Sequence, residues 1–409
     1  MRRGLAAVGA AALPLALLAS AWWLVGPQGV LPPAAAVLLP AAAYAALAVA
    51  LLIGLAFHRG RIVFAALGLA VAYHAFGQFV AVAPGSLAAR GVFAGLCILA
   101  PAVLATLAWL EERGTLSLHA LPRLGLIAAA VGFVWWIVVT GRDATIDWAH
   151  APLTAAALPF ETPIPQVGLA AIALGLVGIG AAAVVQRSAV VGGLGWALAA
   201  FALSLHFSGV RGALPIFTAA AGLLLVVAVL RETYRLAFRD ELTRLPSRRA
   251  LNERLKAVGR RYAVAMVDVD HFKSFNDSYG HDVGDQVLRM VAARLARVGG
   301  GGQAFRYGGE EFTVLFPGKG SDEVLPHLEA LRADIDGYRM AIRGSNRPRR
   351  KRAGKRRRSG ASSAQTVSVT VSIGVAERSD RYEHPEAVIK AADKSLYRAK
   401  RAGRNQVVA

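Results

Sequence analysis

The segment from Arg306 to Phe312 reads Arg-Tyr-Gly-Gly-Glu-Glu-Phe and sets two glycines beside two carboxylates, between apolar flanks. The apolar flanks predict two short β-strands. The glycines predict a tight hairpin turn with positive φ, which glycine adopts without steric cost. Adjacent acids at such a turn repel each other unless a cation lies beside them. Glu310 and Glu311 are therefore candidate metal ligands, although a solvated turn could have the same local sequence.

A second pair of acids follows a short apolar run, Tyr262 to Val267, which ends in Asp268-Val269-Asp270. Such a run predicts a buried central strand that delivers acids at its carboxyl end, where ligands commonly bind in α/β sheets. If this strand and the hairpin are neighbours, two or three carboxylates converge. Carboxylates in that number are the oxygen ligands that Mg²⁺ prefers, with positions left for phosphate oxygens and water.

Two further pairs of polar residues indicate that the domain binds a nucleotide. Lys400 and Arg404 are four residues apart on the predicted last helix, so both cations would share a face and could hold a phosphate chain. Asn276 and Asp285 offer an amide and a carboxylate that could bind the edge of a purine. Any one of these side chains could instead form a surface salt bridge, but their joint occurrence in one small domain favours a site.

The spacing of apolar residues predicts the helices and strands that position these side chains. After the strand ending at Asp268 come a helical segment and a glycine turn at Gly280, then an amphipathic helix with Asp282 as its N-cap. The remaining predictions are a helix over 322–343, a strand over 366–376 and a final helix over 386–402. The order β-α-α-β-β-α-β-α predicts an α+β domain with a mixed or antiparallel sheet.

Composition separates this domain from the rest of the chain. The protein has 409 residues and a formal net charge of +20, which allows two or three domains. Residues 1–230 hold nearly all the long apolar runs, and the chain becomes charged near Arg231. Cys97 is the only cysteine, so an intrachain disulfide is excluded and a reducing cytoplasmic compartment fits the charged domain.

The apolar half predicts about eight transmembrane helices, because a span needs roughly 20 apolar residues. The predicted segments are 5–25, 34–57, 62–83, 91–110, 124–140, 167–185, 189–208 and 212–230. With a cytoplasmic amino terminus, nine arginines fall in inside loops and three in outside loops, which places residue 231 onward in the cytoplasm. The first segment is favoured as a retained signal-anchor over a cleaved signal peptide.

The role of the apolar half stays open. His74 and His206 could bind a ligand, a metal or haem, but neutral histidines hydrogen-bonded between helices are favoured. The external loop 141–166 could form a sensory surface, and a transporter is a further alternative, although no internal repeat supports it.

A helical linker is predicted over 231–241. Tyr234, Phe238 and Leu242 recur at helical spacing and could pack against a second copy or against the following domain.

Five ordered blocks together resemble the GGDEF domain of diguanylate cyclases, here with the signature in its Gly-Gly-Glu-Glu-Phe form. The blocks are Asp240 to Arg249, Asp268 to Asp285, Arg306 to Phe312, Ser372 to Ala376 and Ala399 to Asn405. The resemblance covers about residues 238–409 and does not extend to 1–230. It implies a palm-like sheet on which two GTP molecules, one on each of two antiparallel protomers, condense into cyclic di-GMP and two pyrophosphates.

The resemblance also implies residue roles. Asp268, the Val269 carbonyl, Glu310 and Glu311 would bind Mg²⁺ or Mn²⁺. Glu310, more than Glu311, would help to deprotonate the attacking 3′-hydroxyl, and Lys273 would join the glutamates in catalysis. The substrate-binding residues would be Phe272 and Lys273 at the phosphates, Asn276 and Asp285 at guanine, His281 near the nucleoside, and Lys400 and Arg404 at the terminal phosphates.

Two features depart from the family pattern. The positions of the Arg-x-x-Asp product-inhibition motif are Gly299 and Gly302, so this inhibitory site is expected to be absent. The segment from Arg343 to Arg358 holds ten Lys or Arg in sixteen residues, which predicts a disordered surface loop. Contact with anionic lipid is its first interpretation, ahead of simple solvation and of nucleic-acid binding, which is disfavoured.

The sequence therefore predicts a diguanylate cyclase of the bacterial inner membrane with a cytoplasmic catalytic domain. Residues 1–230 form a possible membrane sensor, 231–241 the linker and 242–409 the catalytic domain, with the basic loop at 343–360. A catalytically silent GTP-binding module coupled to a membrane receptor or transporter is the alternative. The input signal is not encoded in any recognisable motif.

Overall fold

The computed structural model describes residues 2–26, 33–115, 118–154, 159–341 and 366–409. The chain divides into two compact units, Met1–Thr233 and Tyr234–Ala409. The division falls within the segment predicted as a linker. The predicted basic loop at 343–360 lies outside the described residues.

The first unit is helical throughout its described part. Its helices are α1 (Arg2–Val25), α2 (Pro33–Ala56), α3 (Gly60–Ala75), α4 (Leu87–Trp109), α5 (Leu121–Val139), α6 (Asp143–His150), α7 (Gln166–Gln186), α8 (Ala189–His206) and α9 (Ala213–Phe238). A short π-helical turn, Phe76–Val80, continues α3, and a 3₁₀ turn, Leu118–Ala120, precedes α5.

Seven helices in the described part of the chain, α2 to α5 and α7 to α9, are long and apolar enough to cross a membrane. Each coincides with a segment predicted as a span. The remaining prediction, 5–25, corresponds to α1, whose described side chains form the shorter apolar stretch Ala11–Val25. The described part of this unit is thus an α-helical region with seven apolar helices of spanning length and one shorter apolar helix.

Both histidines singled out in the apolar unit have hydrogen-bond partners. His74 Nδ1 lies 3.1 Å from the hydroxyl of Tyr44 on the neighbouring helix α2. His206 Nδ1 lies 2.9 Å from the hydroxyl of Thr162, which precedes α7. These bonds match the interpretation of both residues as hydrogen-bonded structural histidines.

The second unit is an α+β domain, as predicted. Its elements are α10 (Arg248–Lys256), β1 (Tyr262–Val269), α11 (Phe272–Tyr279), α12 (His281–Leu295), β2 (Gln303–Arg306), β3 (Glu311–Pro317), α13 (Ser321–Asp336), β4 (Met340–Ala341), β5 (Thr366–Val367), β6 (Val371–Glu377), α14 (Pro385–Arg401) and β7 (Val407–Val408). Five strands form one sheet in the order β2-β3-β1-β6-β7, and β4 pairs separately with β5. The large sheet is mixed, because β7 is parallel to β6 and the other pairs are antiparallel.

Strand β1 is central, and all eight of its residues are buried. Alternate side chains point to opposite faces of the sheet. Ala265 and Val267 belong to the core formed with α12 and α13, whereas Val264 and Met266 belong to the core formed with α10 and α14. Helices therefore cover both faces, which explains why the strand is apolar throughout its length up to Asp268.

Gly374 on β6 brings helix α14 against the sheet. A Cβ atom at this position would lie 1.9 Å from the amide nitrogen of Leu396 and 2.3 Å from the carbonyl oxygen of Ala392. Only glycine permits such a close approach of two backbones. The contact sets the height of α14 above the sheet and hence the position of Lys400 near its end.

Several predicted boundaries are wrong for local reasons. The helix predicted over 322–343 ends at Asp336, and the chain then forms β4. The strand predicted over 366–376 is split into 366–367 and 371–377. Thr370 lies between the two parts, and its hydroxyl donates a hydrogen bond to Asp270. Helix α12 begins at His281, after Gly280 with φ of 83°, so that Asp282 lies inside the first turn.

The apolar stripe predicted through the linker is also interrupted. Helix α9 ends at Phe238, whose ring stacks on Tyr234 at 4.3 Å, and Leu242 lies beyond the helix. The helix ends there because Asp240 forms a turn instead, accepting hydrogen bonds from the backbone and hydroxyl of Thr243.

Candidate active site

The signature forms the turn of the β2–β3 hairpin. The amide nitrogens of Tyr307 and Gly308 donate to the carbonyl oxygen of Glu311, and the amide of Glu311 donates to the carbonyl oxygen of Gly308. The predicted positive φ is wrong, because neither Gly308 nor Gly309 adopts it. The two glycines instead leave space where other residues would carry a side chain. A Cβ atom at Gly308 would lie 3.2 Å from Glu311 Oε2, and one at Gly309 would contact no atom within 4 Å.

Arg306 anchors this turn, a role that the sequence did not predict. Its guanidinium donates to Asp240 Oδ1 at 2.7 Å and to the carbonyl oxygen of Gly309 at 2.6 Å. Burial acts to raise the pKa of Asp240, but hydrogen bonds from Thr243 and Arg306 lower it further than burial raises it. Asp240 therefore stays ionised and holds Arg306 in place. The available signal was the position of an arginine directly before the turn.

The two acidic segments meet on adjacent strands, as predicted. In the antiparallel pairing of β1 with β3, Asp268 stands opposite Glu311. The amide of Val269 lies 3.4 Å from the carbonyl oxygen of Glu310, so the end of β1 is directly joined to the signature turn. Strand pairing thus brings the acids together from distant parts of the sequence.

Asp268 and Glu310 form a crowded, negatively charged group. Asp268 is only 4% exposed, and its Oδ1 lies 2.9 Å from Lys400 Nζ. Burial raises the pKa of Asp268, while its hydrogen bond and ion pair with Lys400 oppose that rise. Burial also raises the pKa of Glu310, and the neighbouring charges of Asp268 and Glu311 raise it further. A cation at this place would relieve the repulsion.

Glu311 has a different environment from Glu310. It lines a cleft of about 1090 Å³ together with Met266 and with residues of α10 and α14. At the same cleft the guanidinium of Arg248 lies 4.3 Å from the centre of the Tyr307 ring. The two glutamates of the signature are therefore not equivalent.

The donor set fits a divalent metal ion of the Mg²⁺ class. Within the described ranges, no three His, Cys, Asp or Glu side chains are grouped closely enough to form a metal centre by themselves. The carboxylates of Asp268 and Glu310 nevertheless lie close enough at the end of β1 for their charges to interact. Mg²⁺ is commonly held by one or two carboxylates plus substrate phosphates and water, so this set is sufficient.

Asp270 has a structural role that the sequence did not reveal. It is 5% exposed and accepts hydrogen bonds from the hydroxyls of Thr370 and Ser372, both at 2.6 Å, and from the amide of Asn405 at 3.1 Å. Its oxygens are therefore occupied. Because Asn405 follows Arg404, Asp270 fixes the turn that carries that arginine.

The prediction that Lys400 and Arg404 share a helix is wrong. Helix α14 ends at Arg401, and Gly403 with φ of 112° turns the chain. Arg404 follows with φ of 65°, and its amide donates to the carbonyl oxygen of Ala399. Both cations remain near the acids, since the charges of Lys400 and of Arg404 act to lower the pKa of Asp268.

The other residues predicted to contact the nucleotide lie on α11 and the start of α12. Phe272 is buried and Asn276 partly buried, whereas Lys273 and His281 are exposed. Asp285 lies 3.6 Å from Arg289 in an ion pair one turn along α12. The two helices pack on each other, so these side chains share one region of the domain surface.

Asn276 depends on a glycine in the neighbouring helix. A Cβ atom at Gly284 would lie 1.8 Å from Asn276 Oδ1, so that any side chain there would displace the amide. Asn276 Oδ1 is buried and has no hydrogen-bond partner within the described part of the chain. A buried acceptor without a partner is costly, and a donor on a bound ligand would satisfy it.

The glycine segment at the product-inhibition positions forms a tight turn. Gly300 and Gly301 have φ of 67° and 77°. A Cβ atom at Gly299 would lie 2.9 Å from the His327 ring, and one at Gly302 would lie 2.7 Å from the Phe316 ring. The turn is therefore built for glycine and is covered by His327.

A comparison with protein families matches the model described as "Diguanylate cyclase, GGDEF domain" to residues 237–354 and 348–406. The response regulator PleD of Caulobacter vibrioides is 34% identical over 187 residues, covering 44% of this chain and 37% of PleD. The diguanylate cyclase DgcP of Pseudomonas aeruginosa is 37% identical over 179 residues, covering 42% of this chain and 24% of DgcP. The chain therefore spans less than two fifths of either relative.

Among solved structures, the coiled coil and GGDEF domain of DgcB from Caulobacter crescentus, in complex with c-di-GMP, is 33% identical. The match covers 47% of this chain and 95% of that chain, with a TM-score of 0.40.

The raised pKa values predict that acid weakens metal binding. Between the ordinary carboxyl pKa and the raised values of Asp268 and Glu310, the folded protein keeps protons that the unfolded chain has released. The folded protein without metal therefore loses stability as pH rises through this window. A divalent ion needs the charged carboxylates, so its affinity should increase as pH rises through the same window.

Calorimetric titration of the whole protein with Mn²⁺ in buffers of different ionisation enthalpy measures both the affinity and the protons released. Glu310→Gln should release fewer protons than the wild type. An affinity that does not change across this pH window would contradict the expected pKa shifts.

Proposed function

Because residues 237–406 form a GGDEF domain of the diguanylate cyclase family, we propose that this protein condenses two GTP molecules into cyclic di-GMP and two pyrophosphates. The observation that carries the proposal is the pairing of β1 with β3. It sets Asp268 opposite Glu311 and joins Val269 to Glu310, beside the cations Lys400 and Arg404.

In each of the two transfers, the 3′-oxygen of one GTP bonds to the α-phosphorus of the other. The bond from that phosphorus to pyrophosphate breaks. Glu310 accepts the proton of the 3′-hydroxyl, a role that its raised pKa favours because a base is most effective with a pKa near the working pH. Lys400, Arg404 and Lys273 balance the negative charge of the phosphates and of the departing pyrophosphate.

Mg²⁺ or Mn²⁺ is the proposed cofactor, held by Asp268, the Val269 carbonyl, Glu310 and Glu311. When bound, such an ion lowers the pKa of the hydroxyl and offsets charge at the α-phosphate. The convergence of Asp268 and Glu310 at the end of β1 supports this assignment. Because each domain holds one GTP, the reaction requires a homodimer with two half-sites facing each other.

Guanine is proposed to bind on α11 and α12. The unpartnered Oδ1 of Asn276 accepts a hydrogen bond from the base, Asp285 accepts hydrogen bonds from its other donors, and His281 lies near the nucleoside. Phe272 and Lys273, at the start of α11, contact the phosphates. The shared surface of these helices supports a single binding region.

In this proposal the protein lies in the bacterial inner membrane, with the catalytic domain exposed to cytoplasmic GTP. Seven helices of sufficient length and apolar character support it. The membrane unit is proposed to regulate the cyclase. The basic segment 343–358 is proposed to contact anionic lipid, because the tethered domain stays near the inner leaflet.

The direct test incubates the purified whole protein with GTP and Mg²⁺ and separates the nucleotides by chromatography. The wild type should form cyclic di-GMP. Glu310→Gln should lower the rate about 100-fold or more, since it removes both a base and a metal ligand. Asp322→Asn changes an exposed acid at the start of α13 and serves as a control with unchanged rate. GTP binding without product would instead indicate the silent signalling module.

The close contact at Gly284 generates a second prediction. In Gly284→Ala, the new methyl group displaces Asn276 and should raise KM for GTP about five-fold, because one hydrogen bond contributes about 1 kcal/mol. The fold should persist, since alanine is a better helix former than glycine. Gly259→Ala, at a position with open space, is the matched control. An unchanged KM would show that Asn276 does not bind the base.

Product should not inhibit through the glycine turn. Gly299 and Gly302 provide neither the arginine nor the aspartate of the inhibitory motif. Progress curves with added cyclic di-GMP should therefore keep their initial slope. Micromolar binding of cyclic di-GMP that is lost on changing residues 299–302 or His327 would contradict this expectation.

A further inference from the structure

The ion pair between Lys400 and Asp268 occupies the place where a metal ion would act. We propose that Lys400 blocks this cation position until a nucleotide draws it away, so that metal and nucleotide bind cooperatively. The proposal rests on the proposed function and adds a control on the order in which its site fills. Lys400 is thereby a gate residue as well as a phosphate ligand.

Three observations carry the proposal. Lys400 Nζ lies 2.9 Å from Asp268 Oδ1, which is the distance of a charge-assisted hydrogen bond. The side chain of Asp268 is 6% exposed, so water does not screen its charge effectively. Within the described ranges, Lys400 is the one cation in ion-pair contact with Asp268.

The surroundings of the ion pair make it unfavourable for Lys400 to leave Asp268. Removing one partner of a buried ion pair leaves an uncompensated charge, which is strongly unfavourable. Asp270 cannot serve as an alternative partner for Lys400, because its oxygens already accept from Thr370, Ser372 and Asn405. A divalent ion that enters alone must therefore compete with an ammonium group already bound.

A nucleotide removes this obstacle. Lys400 is 33% exposed and lies one residue before the end of α14, so its flexible stem can carry the ammonium group outward. Phosphate oxygens at the site offer it a new anionic partner at the moment when the metal takes over Asp268. Both ligands thus depend on the same movement of Lys400.

Because metal and nucleotide both require Lys400 to move, a coupling free energy links the two binding events. Such coupling is reciprocal. Nucleotide should tighten metal binding by the same factor by which metal tightens nucleotide binding. The site would then stay closed to free divalent ions and would assemble only as a metal–nucleotide complex.

The test measures Mn²⁺ binding to the whole protein in lipid nanodiscs by the loss of the free-ion electron paramagnetic resonance signal. Mildly alkaline pH keeps the carboxylates ionised. The nucleotide is a GTP analogue with a methylene group between its α- and β-phosphorus atoms, which blocks turnover. The variants are Lys400→Met, which removes the charge, and Lys400→Gln, which keeps a donor in case the first variant folds poorly.

Without nucleotide, Lys400→Met should bind Mn²⁺ at least about five-fold more tightly than the wild type. With the analogue, the wild type should gain affinity for Mn²⁺, and the variant should gain much less. Lys394→Met makes the same charge change at an exposed position of α14 and should match the wild type in both conditions.

Equal or weaker Mn²⁺ binding by both Lys400 variants would overturn the gate. If the wild-type protein forms cyclic di-GMP in the same preparation, the proposed function stays intact. An equal gain in Lys394→Met would also overturn it, because the effect would then be one of net charge. Absence of both Mn²⁺ binding and cyclic di-GMP from the wild type would overturn the proposed function, and the gate with it.

Discussion

The antiparallel pairing of β1 with β3 is the constraint on which the rest of the candidate site depends. Its register sets Asp268 opposite Glu311 and brings the amide of Val269 to the carbonyl of Glu310. A slip of one residue would turn Asp268 to the opposite face, because side chains alternate along a strand. The buried residues of β1 on both faces hold this register, so the hydrophobic core positions the charged site.

Like charges are crowded at the end of β1, and this crowding lowers the stability of the folded domain. Asp268 and Glu310 both have raised pKa values, for which burial is the largest cause. The surrounding structure offsets this cost through Lys400, through the Arg306 anchor on Asp240 and Gly309, and through the saturated hydrogen bonds of Asp270. Such an arrangement is typical of ligand-binding sites, because the charges that bind a ligand destabilise the protein without it.

Glycine acts in this domain mainly by allowing close approach. Gly374 lets helix α14 rest on the backbone of β6, and Gly284 leaves room for the amide of Asn276. The signature glycines likewise leave space, over Glu311 and above the turn, and do not adopt positive φ. Glycine thus determines how closely a helix packs on the sheet, where a polar side chain lies and how accessible a turn is.

The sequence by itself determined the division of the chain and the class of each half, and it predicted the acidic residues that the tertiary structure brings onto neighbouring strands. Long apolar runs, including the one that forms β1, and the ordered motifs are local properties, and burial acts on them locally. Only the tertiary structure decided that Lys400 contacts Asp268, that Arg404 lies beyond its helix and that Asp270 anchors the turn. The two contacts, of Lys400 with Asp268 and of Asp270 with Asn405, each join residues more than a hundred positions apart, and they depend on strand register and on the packing height of α14. No local pattern encodes either quantity, because each results from the fit of all the buried side chains together.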